Sequence, residues 1–464
     1  MPKRYRRRVA ALCALLAAGA LTAGAAPSGK KMIGINVVTN RPLTGAILAD
    51  LGTHGKVREV MAEIDAVTLQ ARESELAAIR KLPYVAAANP DAERQGSPVD
   101  TVSAENFANG LNTWDLDAVN VTDFGVGRTV AYDGSGVYVA VLDTGLLDSW
   151  RQYFPEQRIA TQYAKAFSGG GGEAGTVSDT PNVWEHDQNS HGTHVTSTIL
   201  GYSLGGTPIN GVAPRSTVIP VKVLNQAGFG WSSVIARGIV YVTDLKRGPL
   251  AASPVVINMS LGGPVLDAVE KAAVDYANTH GVIVVAAAGN AGEAGMGFPG
   301  AYGPVISAAA SGWVGEWLPG SDGNNRNWWI ADDVADPTSA DDFYITDFSS
   351  REKAGQDLDV AAPGSWVVGP FQLQSGKTSY FFLGGTSMAS PHVAGIAALM
   401  AQKNPSLTSF DVESILEASA VPLPAGCRTV AQPSGPAQEF CWEADATGAG
   451  LATADAALAG TPSP

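Results

Sequence analysis

Cysteine and positive charge are both scarce: the chain has three Cys in 464 residues, and 30 Lys+Arg against 44 Asp+Glu. The basic residues also sit early. Residues 95–464 carry only 16 of them with 36 of the acidic ones, a net charge of −20. Such a surface repels nucleic acid and anionic membranes, which excludes both as expected partners. After the first 26 residues no stretch is apolar over the ~20 residues a spanning helix needs, and no internal repeat is evident. With Cys13 in the leading segment, only Cys427 and Cys441 remain for a later cross-link. In an oxidising compartment they would close a short loop worth up to ~3 kcal/mol in the chain-entropy model, the alternative being two free thiols.

What is present begins with an export signal. Lys3, Arg4, Arg6, Arg7 and Arg8 precede an apolar run from Val9 to about Thr22, then Ala23-Gly24-Ala25. This pattern predicts a cleaved signal peptide over 1–26 and a secreted, soluble product. A hydrophobic fraction of 45% over the whole chain supplies a large core, so one big domain with smaller attachments is expected.

Residues 31–93 read as a small separable domain, with strands over Met32 to Val38 and Tyr84 to Ala88 and a helix around Ser74 to Lys81. The polar, Pro- and Gly-containing stretch from Asp91 to Thr101 reads as a linker, extended to 94–110 as a processing region. Over 111–464, strands are predicted at Val137 to Leu142, Thr217 to Leu224, Val255 to Ser260, Val282 to Ala288 and Val305 to Ala309. Helices are predicted at Ser232 to Leu245, Val265 to His280 and Thr386 to Gln402. Runs apolar on both faces and separated by helices argue for an α/β fold: a mostly parallel central sheet covered by helices on both faces. Its active site is expected at the carboxyl ends of the strands. Three segments break the pattern and read as surface loops: 168–184, 311–346 and 421–442.

Three further segments carry chemistry. Val139-Ala140-Val141-Leu142-Asp143-Thr144-Gly145 places a carboxylate directly after a buried strand. Asn189-Ser190-His191-Gly192-Thr193-His194 places an imidazole at a helix start. No Glu follows His191 as a zinc-peptidase motif would require, and two histidines alone are too few ligands. Gly384-Gly385-Thr386-Ser387-Met388-Ala389-Ser390-Pro391 places a serine at a helix N-terminus behind paired glycines. By itself each has an ordinary reading as a cap or turn residue. A serine hydroxyl becomes a nucleophile only when a base takes its proton, and the base needs a carboxylate to fix its tautomer.

In this order the three segments resemble the subtilisin-like serine peptidases. The resemblance implies that Asp143 orients, His191 acts as general base and then acid, and Ser387 attacks the peptide carbonyl. His194 and His392 would be packing residues. Ala286-Ala287-Ala288-Gly289-Asn290-Ala291-Gly292 is similar to the family's oxyanion segment, which makes Asn290 a donor to the oxyanion. Ser260, Leu261 and Gly262, with Ala287 and Gly289, resemble the walls of the primary specificity pocket, and Gly297 its floor. Gly228 and Gly230 resemble the opposite edge, which makes the substrate a middle strand. A glycine floor implies a hydrophobic or aromatic preference before the scissile bond.

Residues 31–93 resemble the family's inhibitory propeptide, which implies a small α+β ferredoxin-like domain, an intramolecular inhibitor and processing between Ala92 and about Ala104. The implied function is a secreted serine endopeptidase made as a zymogen, acting on proteins or peptides, with no cofactor for the chemistry and monomer as the default state. Structural calcium is common in the family, but no complete ligand set is legible. Asp332, Asp333, Asp336, Asp341 and Asp342 are the carboxylates on offer. The alternative reading is a catalytically silent relative used as a binding or scaffold protein, and an intact Asp143, His191, Ser387 and Asn290 argues against it.

Overall fold

The computed structural model describes residues 31–103, 113–124, 126–318, 333–373 and 378–464. The signal peptide expected over 1–26 lies outside the described residues, as do Ala104 and Asp332.

The strands with the least polar sequences form the middle of the main sheet. Val255–Met259 and Val282–Ala287 are buried at every position, which a strand covered on both faces demands. The sheet runs in the order Glu173–Ser178, Lys165–Gly170, Thr217–Lys222, Tyr138–Asp143, Val255–Met259, Val282–Ala287, Ile306–Trp313 and Phe343–Ile345, with Val360–Pro363 also pairing with Ile306–Trp313. The pairs from Lys165–Gly170 to Ile306–Trp313 are parallel, and Glu173–Ser178 and Phe343–Ile345 join antiparallel.

Helices close both faces. His191–Leu200 and Thr386–Lys403 bury Val195, Ile199, Val393 and Ala397 in one core. Ser232–Arg247 and Ala268–Thr279 bury Ile235, Ile239, Val269 and Ala273 in the other. The second of these helices starts later than expected from Val265, because Asp267 caps it by accepting from Val269 N and Glu270 N at 2.8 and 3.2 Å.

Residues 32–90 form a four-stranded antiparallel sheet in the order Gly55–Met61, Ala66–Arg72, Met32–Thr39, Val85–Pro90, the ferredoxin-like order. Its own core includes Ile35, Leu51, Leu69 and Ile79. The sheet docks on the N-termini of the two outer helices through polar groups. Asp91 accepts from Asn36 Nδ2, Ser232 Oγ and Ser233 N at 2.9, 2.9 and 3.0 Å, while Asn36 and Asn89 donate to Asp267 at 2.8 and 2.7 Å. Arg94 and Glu270 form a fully buried ion pair at 2.5 Å.

Three expectations need correction. The segment 168–184 is no loop: it supplies most of an edge hairpin of the main sheet, turning at Gly171 and Gly172 after the strand residues Gly169 and Gly170, all four at positive φ. The segment 421–442 is a hairpin of Gly426–Val430 and Gln438–Trp442 in which Cys427 stands opposite Cys441, and the two are bonded as a disulfide. Within 311–346, the ends extend the sheet as parts of Ile306–Trp313 and Phe343–Ile345. The 94–110 stretch also holds two short strands, the end of Glu93–Gln95 and Asp100–Ser103.

The 311–346 segment buries a carboxyl as well. Glu316 accepts from Trp313 N at 3.1 Å, from Tyr344 Oη at 2.7 Å and from Ser365 Oγ at 3.1 Å. Burial pushes its pKa up to about 8 against the opposing effect of these donors. In the folded chain it therefore keeps a proton that the unfolded chain releases near 4.5, so this group makes folding less favourable as pH rises from about 4.5 to about 8. In a Ser387→Ala background, Glu316→Gln should flatten the fall in urea midpoint between pH 5 and pH 8. Parallel pH profiles for the two chains would show that Glu316 titrates normally.

Candidate active site

The carboxyl ends of three neighbouring strands point at one place. Tyr138–Asp143 ends on Asp143, Val255–Met259 leads into Ser260, and Val282–Ala287 leads into Gly289 and Asn290. Two helices from the same face start there: His191 opens His191–Leu200, and Ser387 is the second residue of Thr386–Lys403.

Asp143 accepts from His191 Nδ1 with both oxygens, at 2.8 and 3.0 Å, and from its neighbour Thr144 N at 2.6 Å. Both side chains are fully buried. A second layer holds them. Thr144 Oγ1 donates to Asp187 Oδ2 at 2.7 Å and accepts from Gly192 N at 2.9 Å, while Asp187 also accepts from Asn189 N and Ser190 N, both at 2.8 Å. Burial raises the Asp187 pKa, opposed by the nearby Lys222, whose own pKa burial lowers. Lys222 Nζ donates to the carbonyls of Thr144 and Leu224. Sequence reasoning missed Thr144, Asp187 and Lys222. Asp187, four residues before His191, is the one with a local signal.

Ser387 is anchored through its backbone. A helical carbonyl normally accepts from the N–H four residues on, but Pro391 has no N–H to give. The freed Ser387 carbonyl instead accepts from Ser260 Oγ at 2.8 Å, and Ser260 Oγ in turn accepts from Asn258 Nδ2 at 3.1 Å. The Ser387 hydroxyl rests on the Ser260 carbonyl at 3.2 Å, while His191 Nε2 is buried with no hydrogen-bond partner among the described residues. Rotation of Ser387 about χ1 is the motion that would turn its hydroxyl from one to the other.

Asn290 is aimed by its oxygen. Oδ1 accepts from Thr386 N at 2.9 Å and Thr386 Oγ1 at 2.8 Å, which leaves Nδ2 as the donor of the side chain. The Ser387 N–H lies in the first helical turn, where amides lack intrahelical partners.

The expected wall residues come together. Gly263 and Phe298 exchange backbone bonds at 2.9 and 2.7 Å, and Gly297 N donates to Ala288 O at 2.8 Å. A Cβ on Gly289 would lie 3.0 Å from Gly297 N, and one on Gly262 3.7 Å from Gly297 Cα, so these segments pack side by side. Ala287, Ser260 and Leu261, which adjoin them in sequence, are all buried. Facing them, Phe229–Trp231 with Gly228 and Gly230 forms the other edge. The other histidines stay apart. His194, fully buried, has its pKa pushed down to about 3 by burial and by His191, and its Nε2 bonds Val367 O at 3.2 Å. His392 bridges Met388 O at 2.8 Å and Asp115 Oδ2 at 3.0 Å.

Of the described carboxylates considered for a cation, Asp333 alone joins a group of ligand oxygens within 4.8 Å of one another, with Asp117 and Asp123. Asp117 accepts from Val334 N at 3.2 Å, and Asp341 pairs with Arg428 at 2.8 Å.

A mostly parallel sheet that presents a buried carboxylate–imidazole pair beside a serine at a helix start is the architecture of a serine hydrolase. Residues 134–447 match the model of the Subtilase family, and the chain belongs to that family. It is a serine-type endopeptidase, a class whose chemistry needs no cofactor. Subtilisin DY of Bacillus licheniformis is 34% identical over 296 residues, 63% of this chain and 86% of that protein. The thermostable alkaline protease of Halalkalibacterium halodurans is 31% identical over 360 residues, 77% of this chain and 78% of that protein. Fervidolysin from Fervidobacterium pennivorans, described as a keratinolytic enzyme related to subtilisin, superposes with a TM-score of 0.64 at 22% identity. That match covers 95% of this chain and 63% of the fervidolysin chain. Among the described residues no helix is long and apolar enough to cross a membrane.

The bonds to Asn290 Oδ1 yield a test. Thr386→Val removes the hydroxyl that holds the amide, a neutral hydrogen bond worth ~1 kcal/mol, so kcat on a chromogenic peptide should fall about fivefold with KM nearly unchanged. Thr386→Ser should restore it. A change confined to KM would mean that Thr386 acts on substrate binding instead.

Proposed function

We propose that this chain is a secreted zymogen whose mature part hydrolyses internal peptide bonds through an acyl-enzyme. Asp143 orients His191, His191 carries the proton, Ser387 attacks, and Asn290 Nδ2 with the Ser387 N–H binds the oxyanion. The observation that carries this reading is the buried Asp143–His191 bond beside Ser387, with Asn290 Oδ1 tied to the neighbouring Thr386 so that Nδ2 is left to donate.

In the forward step Ser387 Oγ bonds to the substrate carbonyl carbon as His191 Nε2 takes its proton, and that proton passes to the leaving nitrogen as the C–N bond breaks. Water then repeats the sequence on the ester. Preorganised donors contribute because they are fixed before charge develops.

Residues 31–93 act as the inhibitory propeptide, and the processing cut falls between Ala92 and Ala104. Support comes from the groove, where Gln95 exchanges backbone bonds with Gly262, both at 3.0 Å, while Phe229–Trp231 pairs antiparallel with Glu93–Gln95 on the other side. The chain's own segment is thus a middle strand between the two edges assigned to substrate, and His191 is 0% and Ser387 3% exposed. The lack of side chains at the neighbouring Gly262, Gly289 and Gly297 supports a preference for a large hydrophobic residue before the scissile bond. The disulfide at Cys427–Cys441 suits an extracellular site of action.

Two variants test the roles. Ser387→Ala should abolish casein hydrolysis and labelling by an organophosphate, and Asn290→Ala should lower kcat about 10²- to 10³-fold with KM little changed. Peptides with Phe or Leu before the cut should exceed those with Asp or Arg at least tenfold in kcat/KM. Equal rates for all four would remove the specificity assignment, and full activity of the Ser387→Ala chain would remove the mechanism.

A further inference from the structure

The strand that fills the groove does not end at the nucleophile. On the acyl side, Gly96 N donates to Gly228 O at 3.0 Å, and a Cβ on Gly96 would lie 3.3 Å from His191 Cε1. On the leaving-group side, Val99 N donates to Gly384 O at 2.6 Å, and Asp100–Ser103 continues as an antiparallel strand on Thr378–Gly384. Gly384 lies three residues before Ser387. Between these two anchors the chain offers only Ser97 and Pro98 to cross the space at His191 and Ser387.

From this register we infer that the bond presented to the nucleophile is Ser97–Pro98 and that the chain is held there as a strap, clamped on both sides and resistant to its own enzyme. The inference rests on the catalytic role proposed for Ser387. Acylation at Ser97 would form the Ser387 Oγ–C bond and break the Ser97 C–N bond, with the Ser387 proton carried by His191 to the departing nitrogen. In a proline that nitrogen has no hydrogen and carries Cδ in its place. The ring carbon stands where an ordinary amide has its small N–H, and it obstructs both pyramidalisation of the nitrogen and the approach of His191 Nε2.

Clamping adds to the effect. Strand pairing on the far side, through Phe381–Gly384 with Asp100–Ser103, keeps the leaving group bound, so any acyl-enzyme formed would return to the amide. Maturation in the 92–104 window therefore requires the strap to leave this register before a bond is cut. A segment that pairs with both groove edges in an extended form, yet offers proline to the acid, inhibits without being consumed.

The test compares the full chain with its Pro98→Ala and Ser387→Ala twins, following intact mass, new amino termini, casein hydrolysis and organophosphate labelling. Pro98→Ala should shorten the precursor's half-life at least tenfold and give a new terminus at residue 98, while the parent gives none there. A parent terminus at Pro98, or a Pro98→Ala chain with unchanged rate and termini, overturns the inference. If in that case casein hydrolysis and labelling persist in all but the Ser387→Ala chain, the inference alone falls. If neither the parent nor the Pro98→Ala chain hydrolyses casein or takes the label, the catalytic reading falls and this inference falls with it. A synthetic peptide of residues 90–103, mixed with matured enzyme, guards against a folding defect in the variant. The native peptide should stay uncut between 97 and 98, and its Pro98→Ala form should be cut there. Equal cleavage of both peptides at that bond also overturns the inference.

Discussion

Everything at the centre of this protein depends on keeping the Asp143 carboxylate and the His191 ring out of water and still fully bonded. An ionised carboxylate is costly to bury unless its oxygens are filled, and here both are shared with His191 Nδ1 while Thr144 N adds another donor. Thr144 can serve because Asp187 accepts from its hydroxyl, and Asp187 is tolerated because it receives backbone N–H groups and sits near the buried Lys222. The parallel sheet provides the means, since Lys222 and Asp143 are register partners on adjacent strands and arrive together at the carboxyl edge.

The nucleophile depends on a different device, the omission of one backbone bond. Pro391 removes the donor that would have used the Ser387 carbonyl, and Ser260 fills the vacancy from the neighbouring strand end. Helix and sheet are thereby tied at the residue where their relative position matters. Asn258 supports Ser260 from below, and Ser390 Oγ donates to Asn258 Oδ1, so the tie closes on the helix itself. Polar networks of this kind hold geometry when every member is satisfied.

These arrangements explain what could be read from the residues alone. Val255–Met259 and Val282–Ala287 announce themselves because both are buried on both faces and all but Asn258 of their residues are apolar. Asp143, His191, Ser387 and Asn290 were legible because each follows an element boundary in a distinctive run. Thr386 and Pro391 carry no such signal, because their effect is realised only through Asn290 and Ser260, 96 and 127 positions from the groups they bond. In the first domain, helix Gly45–His54 and strands Gly55–Met61 and Ala66–Arg72 went unread. Gly55–Met61 buries only its last residue, so its weak alternation carries little signal. The hairpins within 168–184 and 421–442 read as loops because their glycine and proline suggest turns, whereas edge pairing decides their state.

The stretch after residue 91 shows the same limit and also explains why it exists. Taken alone, Glu93–Ser103 is polar, broken by Gly96 and Pro98, and has no reason to be a strand. Its order is borrowed from Phe229–Trp231, Gly262 and Thr378–Gly384, edges that would otherwise expose unpaired backbone groups. A groove that recognises any extended backbone must recognise the protein's own chain whenever it is within reach. The structure answers with anchors a free substrate lacks: the Arg94–Glu270 pair, buried on both sides, and the bonds from Asn36, Ser232 and Ser233 to Asp91. They fix how far the segment extends along the groove, and so which residues lie over the serine.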